Sequence, residues 1–270
     1  MNVTSHLKSI RPKLAWISLA ALTLIATVLR TLSLFLCMDE IGYFRSGATL
    51  TILFYVVIAL MGALCIAIPF LINIERVARE PAVLAGSRFA GAAIAAVTLC
   101  AAALFLLIRA QKLPTPALLN LLTALALLCG ATYFALHLTS VKSATVALWG
   151  YGAIFGCALS LILTYFDRYT QMNAPHKLSF HICMILVMLA LLLELRDLLG
   201  CPLPRTCTTL TGFAAAFCTA IALPNLLAFA GGVYSDVFYL FFDIMTLGLA
   251  THFGTKCAQL ACSPAKEDTQ

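Results

Sequence analysis

The chain has 270 residues, of which 62% are hydrophobic and 10% charged, with a mean hydropathy of +1.00. Soluble domains carry roughly 25% charge and under half apolar residues, so a water-soluble fold is excluded and the solvent is lipid. The net charge of +6 is spread over short loops with no basic face, which excludes nucleic-acid binding and leaves orientation signals and attraction to anionic lipid.

Eight apolar stretches follow one another. They predict an all-α polytopic membrane bundle, one integral membrane domain over residues 1–270. Residues 1–13 carry Lys8, Arg11 and Lys13, like the basic region of a signal peptide. The apolar run that follows, 14–36, exceeds the 7–15 residues of a signal core and ends without an Ala-x-Ala site, so it reads as an uncleaved signal anchor. A polar connection holding Asp39, Glu40 and Arg45 leads to the second span, 48–72, with Pro69 near its end. The charged stretch 73–89 suits a short interfacial helix. The third span is 90–108, and the proline-punctuated turn 109–116 leads to the fourth, 117–137. The fifth is 146–166. A polar loop, 167–177, precedes the sixth, 178–199. The seventh, 207–230, is interrupted by Pro224-Asn225, and the eighth is 237–255.

An even number of spans puts both termini on one side, and the positive-inside rule places that side in the cytoplasm. Lys8, Arg11, Lys13, Arg76, Arg79, Arg88, Lys142, Arg196, Arg205, Lys256 and Lys266 then lie inside. Only Arg45, Arg109, Lys112, Arg168 and Lys177 lie outside.

Lipid gives helices no hydrophobic reason to associate, so small residues that allow close approach mark the contacts. Three spans have them at every fourth position, along one ridge. These are Gly152, Gly156 and Ser160; Ala92, Ala96 and Cys100; and Gly212, Ala216 and Ala220.

Two polar groups stand out. Arg30 in the first span and Asp243 in the last each lie about 9 Å below the outer boundary at 1.5 Å per residue. Either costs about 2.5–3.5 kcal/mol at mid-membrane, and pairing offsets part of that. They are expected to meet and close the bundle, with Asn225 at similar depth and His181 slightly shallower. A structural ion pair is the first reading of this outer group. A solute or ion pathway, with Pro69 and Pro224-Asn225 as helix breaks, is the alternative. The inner group comprises His137, Glu194, Arg196, Asp197 and His252. No spacing sets two metal ligands on one helix face, so no metal or cofactor is expected. Glu194 or Asp197 is expected to pair with Arg76, Arg79 or Arg88.

The eleven cysteines fall about one per span with no Cys-x-x-Cys, the pattern of small buried hydrophobes. Asp167-Arg168-Tyr169 copies a receptor tripeptide on the wrong side of the membrane and is read as chance. Nucleophile-elbow, zinc-protease, Walker and dinucleotide motifs are absent.

Asp39-Glu-Ile-Gly-Tyr-Phe44, Asn173-Ala-Pro-His-Lys177 and Glu194-Leu-Arg196 resemble segments of small multi-span bacterial membrane proteins without an assigned function. The resemblance implies a bacterial cytoplasmic membrane and no known chemistry. The expected role is a non-catalytic envelope or partner-binding component, with the bilayer and an unidentified membrane or cytoplasmic protein as partners. A small-solute or ion transporter is the alternative, and an intramembrane enzyme ranks last.

Overall fold

The computed structural model describes residues 3–39, 43–45, 47–72, 85–113, 115–139, 143–167, 170 and 174–262. They form eight α-helices: α1 (Val3–Leu36), α2 (Thr49–Leu71), α3 (Ala85–Arg109), α4 (Ala117–Leu136), α5 (Ser143–Tyr165), α6 (Pro175–Leu198), α7 (Pro204–Ala230) and α8 (Val237–Cys262). All eight are long and apolar enough to cross a membrane. Large apolar side chains face outward along them, Leu118 at 70% exposure and Leu148 at 69%. Such a surface is stable only against lipid.

Local chemistry sets several helix starts. Pro175 and Pro204 occupy the first turn of α6 and α7, where a missing N–H costs nothing. Pro116 immediately precedes α4. These starts lengthen the sixth and seventh spans beyond the expected 178 and 207, and bring His176 and Lys177 into α6. At the far end α8 continues to Cys262 rather than stopping at Thr255, so Lys256 is helical. The interfacial helix expected at 73–89 lies largely outside the described residues, α3 beginning at Ala85.

Pro224 does not interrupt α7, which runs unbroken from Pro204 to Ala230. The proline leaves one carbonyl without its helical donor, and the packed neighbours hold the remaining turns. Pro69 likewise sits inside α2, two residues from its end. The expected pair of helix breaks is therefore corrected.

Helices α3 to α8 form a closed ring. Each packs on its chain neighbour, and α8 packs back on α3. The α1–α2 hairpin lies outside, both helices against α7, and α1 touches α8 only marginally. The bundle is closed by α3 on α8, not by the first helix on the last. Glycines explain the tightness of that seam. A Cβ on Gly248 would strike the Thr98 hydroxyl, and one on Gly91 would strike Thr255 and lie 3.2 Å from the His252 Cα.

The small-residue ridge of α5 faces α4. A Cβ on Gly152 would come within 2.5 Å of the Cys129 Cβ, and one on Gly156 within 2.9 Å of Leu127, while Ser160 is buried and donates to the Gly156 carbonyl at 2.7 Å. Ala92, Ala216 and Ala220 are buried and Ala96 half-buried. Gly212 is in ordinary contact with Leu19, Trp16 and Cys65.

The innermost helices are α6, α7 and α8. Their spans are 56–61% buried, against 22% for α2. On α6 the buried stripe includes Phe180, Cys183, Met184, Val187 and Leu191; on α8 it includes Phe242, Met245, Leu249 and Phe253. Phe180 and Phe242 meet across the ring at 5.2 Å between centroids.

Candidate functional site

Polar side chains bridge α6 and α8 at both ends of this apolar middle. At the end where α6 and α8 begin, Asp243 is buried and fully engaged. His176 Nε2–H donates to Oδ2 at 3.0 Å, and Asn225 Nδ2–H donates to Oδ1 at 3.1 Å. The His176 ring packs between Tyr234, at 4.9 Å, and Tyr239, at 4.6 Å. The Tyr239 hydroxyl donates to Asp167 Oδ2 at 3.0 Å. Lys177 is buried with its ammonium donating to the Thr170 and Asp167 carbonyls, at 3.2 and 3.4 Å. Those carbonyls follow the C-terminus of α5, where a cation is favoured.

Arg30 is buried to 1% exposure at the same end. No carboxylate among the described residues pairs with it, so the expected Arg30–Asp243 ion pair does not form. Its Nη2–H donates to Ser179 Oγ at 3.2 Å, and that hydroxyl donates onward to the Pro175 carbonyl at 2.5 Å. The guanidinium lies over the Phe44 ring at 4.8 Å and near the Phe54 ring at 5.5 Å, a cation–π setting. Its Nε–H is buried without an acceptor.

Phe44 reaches this position from a short antiparallel bridge in the α1–α2 loop. Met38 pairs with Phe44, Asp39 N–H donates to the Tyr43 carbonyl at 2.8 Å, and Arg45 N–H donates to the Cys37 carbonyl at 2.8 Å.

Tyr234 sits in the α7–α8 turn, where Gly232 takes a φ of +76°, a conformation glycine adopts without a side-chain clash. Its hydroxyl is buried without a partner and lies in the field of both Arg30 and Asp243. Burial pushes this phenol up to about 12, against the opposing pull of the Arg30 charge and with a smaller push from Asp243. It is therefore a donor at any physiological pH.

The other outer candidate, His181, is not part of this group. Its Nε2 lies 2.9 Å from Thr164 Oγ1, on the side of α6 that faces α5.

At the opposite end, Glu194 is buried with three basic groups around it. Lys256 Nζ is in direct contact with Oε1. His137 Nε2 is 3.5 Å from Oε1, and His252 Nε2–H donates to Oε2 at 3.4 Å. The imidazoles also pack on aromatic rings, His137 on Tyr133 and His252 on Phe134. Arg196 and Asp197 are exposed and do not join them, because a residue two or three positions after Glu194 turns to another face of the helix. Arg76, Arg79 and the Arg88 side chain, the expected partners, lie outside the described residues, as do Arg168 and Tyr169 of the Asp167-Arg168-Tyr169 tripeptide.

Sequence reasoning missed His176, Lys177, Ser179, Tyr234 and Lys256. His176, Lys177 and Lys256 were hidden by helix bounds drawn too short. The proline at the start of α6 was the available signal for two of them.

Among the described residues, no group of three or more His, Cys, Asp or Glu is arranged to hold a metal ion. No protein family, curated protein or solved structure matches the chain. The class defined by fold and site is a multi-pass helical membrane bundle with ionisable groups in its interior.

Proposed function

We propose that this protein is a membrane transporter that moves a small solute or ion coupled to protons, with His176 and Asp243 as the proton-carrying pair. The single observation behind this reading is the Asp243 carboxylate, buried inside the ring and bonded to one imidazole and one amide. Ionisable groups inside membrane helices are costly and mark ion or proton paths. An imidazole is the side chain that titrates near neutral pH, and its partner carboxylate accepts the same proton. The second buried carboxylate, Glu194, is bridged to α8 by His252 and Lys256 at the other end of the same helix pair. The apolar middle around Phe180 and Phe242 separates the two and would serve as the barrier that alternates.

The proposed location is a bacterial cytoplasmic membrane with both termini inside. The resemblance noted above and the excess of Lys and Arg in the connections on that side support it.

The purified full chain in proteoliposomes, with a pH-sensitive dye inside, tests the reading. An imposed pH gradient should collapse faster than in empty liposomes, and D243N should return the rate to the empty-liposome value while remaining folded. A wild-type rate equal to that of empty liposomes, with several candidate solutes supplied, would reject it.

A second reading, a non-catalytic partner-binding component, draws on Glu194. A carboxylate gripped by three groups suits a clasp that fixes α4, α6 and α8. Under that reading D243N leaves proton flux unchanged.

A further inference from the structure

Arg30 presents an imbalance that the helices do not resolve. A guanidinium in the membrane interior needs a counter-charge, because an uncompensated buried charge costs several kcal/mol. The buried carboxylate at this end, Asp243, has both its oxygens taken by His176 and Asn225. What Arg30 receives is one neutral hydroxyl, itself committed to a carbonyl, and two ring faces. Two buried donors, the Arg30 Nε–H and the Tyr234 hydroxyl, have no acceptor. Both converge on the first turn of α6, where the Tyr234 ring stacks on His176 at 4.9 Å and Arg30 donates to Ser179 three residues on. Paired donors with no acceptor, on a planar cation, are complementary to an anion.

We propose that Arg30 and Tyr234 form the binding site for a small monovalent carboxylate, held by the guanidinium edge and the phenol. The inference rests on the transport reading and deepens it, since it names the class of solute. Phe44 covers the guanidinium from the α1–α2 loop rather than from a helix. One carboxylate on Arg30 and one proton on the His176–Asp243 pair would cross together with no net charge. The only bond made and broken is the N–H or O–H that carries the proton. The proton is supplied by the more acidic side and released on the other.

Acetate is the probe. The full chain in lipid nanodiscs is titrated with sodium acetate at constant ionic strength, and the thermal unfolding midpoint is read. The midpoint should rise saturably. The half-saturating concentration should increase about tenfold in R30Q, the loss of one charge-assisted hydrogen bond, and several-fold in Y234F. Should R30Q fail to fold, R30K decides in its place: it keeps the charge but lacks the fork, and the same weakening is expected. A wild type without saturable response, or an R30Q or R30K protein that responds like wild type, overturns the site. Nanodiscs carry no gradient, so this outcome is separate from the flux assay. Proton flux without acetate binding sinks the carboxylate site alone, and acetate binding without proton flux sinks the transport reading alone.

Discussion

Asp243 and Glu194 are both carboxylates buried between α6 and α8, at opposite ends of one ring, and they are engaged in opposite ways. Glu194 gathers three basic groups: Lys256, His252 and His137 all lie against it. Asp243 holds one imidazole and one amide, while the nearby cation, Arg30, bonds to a serine instead. The first arrangement is saturated with basic partners. The second leaves Arg30 without a carboxylate partner beside Asp243, and the proposed proton and anion sites rest on that difference.

The largest expected effect is at the saturated end. Removing the Glu194 charge leaves the half-buried Lys256 ammonium without its partner, and E194Q should cost about 3 kcal/mol of unfolding free energy in detergent, the low end for a broken buried pair. Pairing it with K256M should recover part of that loss. A double variant as unstable as the sum of both would break the picture of a clasp. At the other end, H176F removes the donor to Asp243 and should cost about 1.5–3 kcal/mol, a smaller penalty because no opposite charge is stranded.

G248V asks whether the two ends share one seat. Gly248 lies on α8 between Asp243 and His252, at the contact with Thr98. The added side chain should cost about 1–3 kcal/mol and slow proton flux as well, with T98A in the same chain relieving both. The smallest effect is expected for S179A, about 1 kcal/mol for the lost hydroxyl acceptor of Arg30, with acetate binding retained.

Much of the fold was legible in the sequence. In lipid every span must be long, helical and apolar, so all eight were found from hydropathy, with bounds mostly within a few residues. The nearness of Asn225 to Asp243 followed from equal depth on adjacent helices. The choice of partner did not. Depth says which residues share a leaflet, but not which way each side chain points around its helix. Arg30 lies on α1, which packs on α2 and α7 rather than on α8, and no property of residues 14–36 announces that. His176 was assigned to a loop because it lies among polar residues, though Pro175 marks the first turn of a helix. Lys256 was assigned to a tail for the same reason. The α3–α8 seam was missed because Gly91 and Gly248 are isolated glycines, not members of a four-residue ladder.

A pair of double-mutant cycles on unfolding free energy, read in the same detergent, tests most directly how Asp243 is engaged. One cycle couples His176 to Asp243 through H176F and D243N, and the other couples Arg30 to Asp243 through R30Q and D243N. The account predicts a His176–Asp243 coupling of about 1–3 kcal/mol and an Arg30–Asp243 coupling less than half as large. A larger coupling for Arg30 than for His176 would contradict it, for the guanidinium and the carboxylate would then neutralise each other and leave no site for an anion.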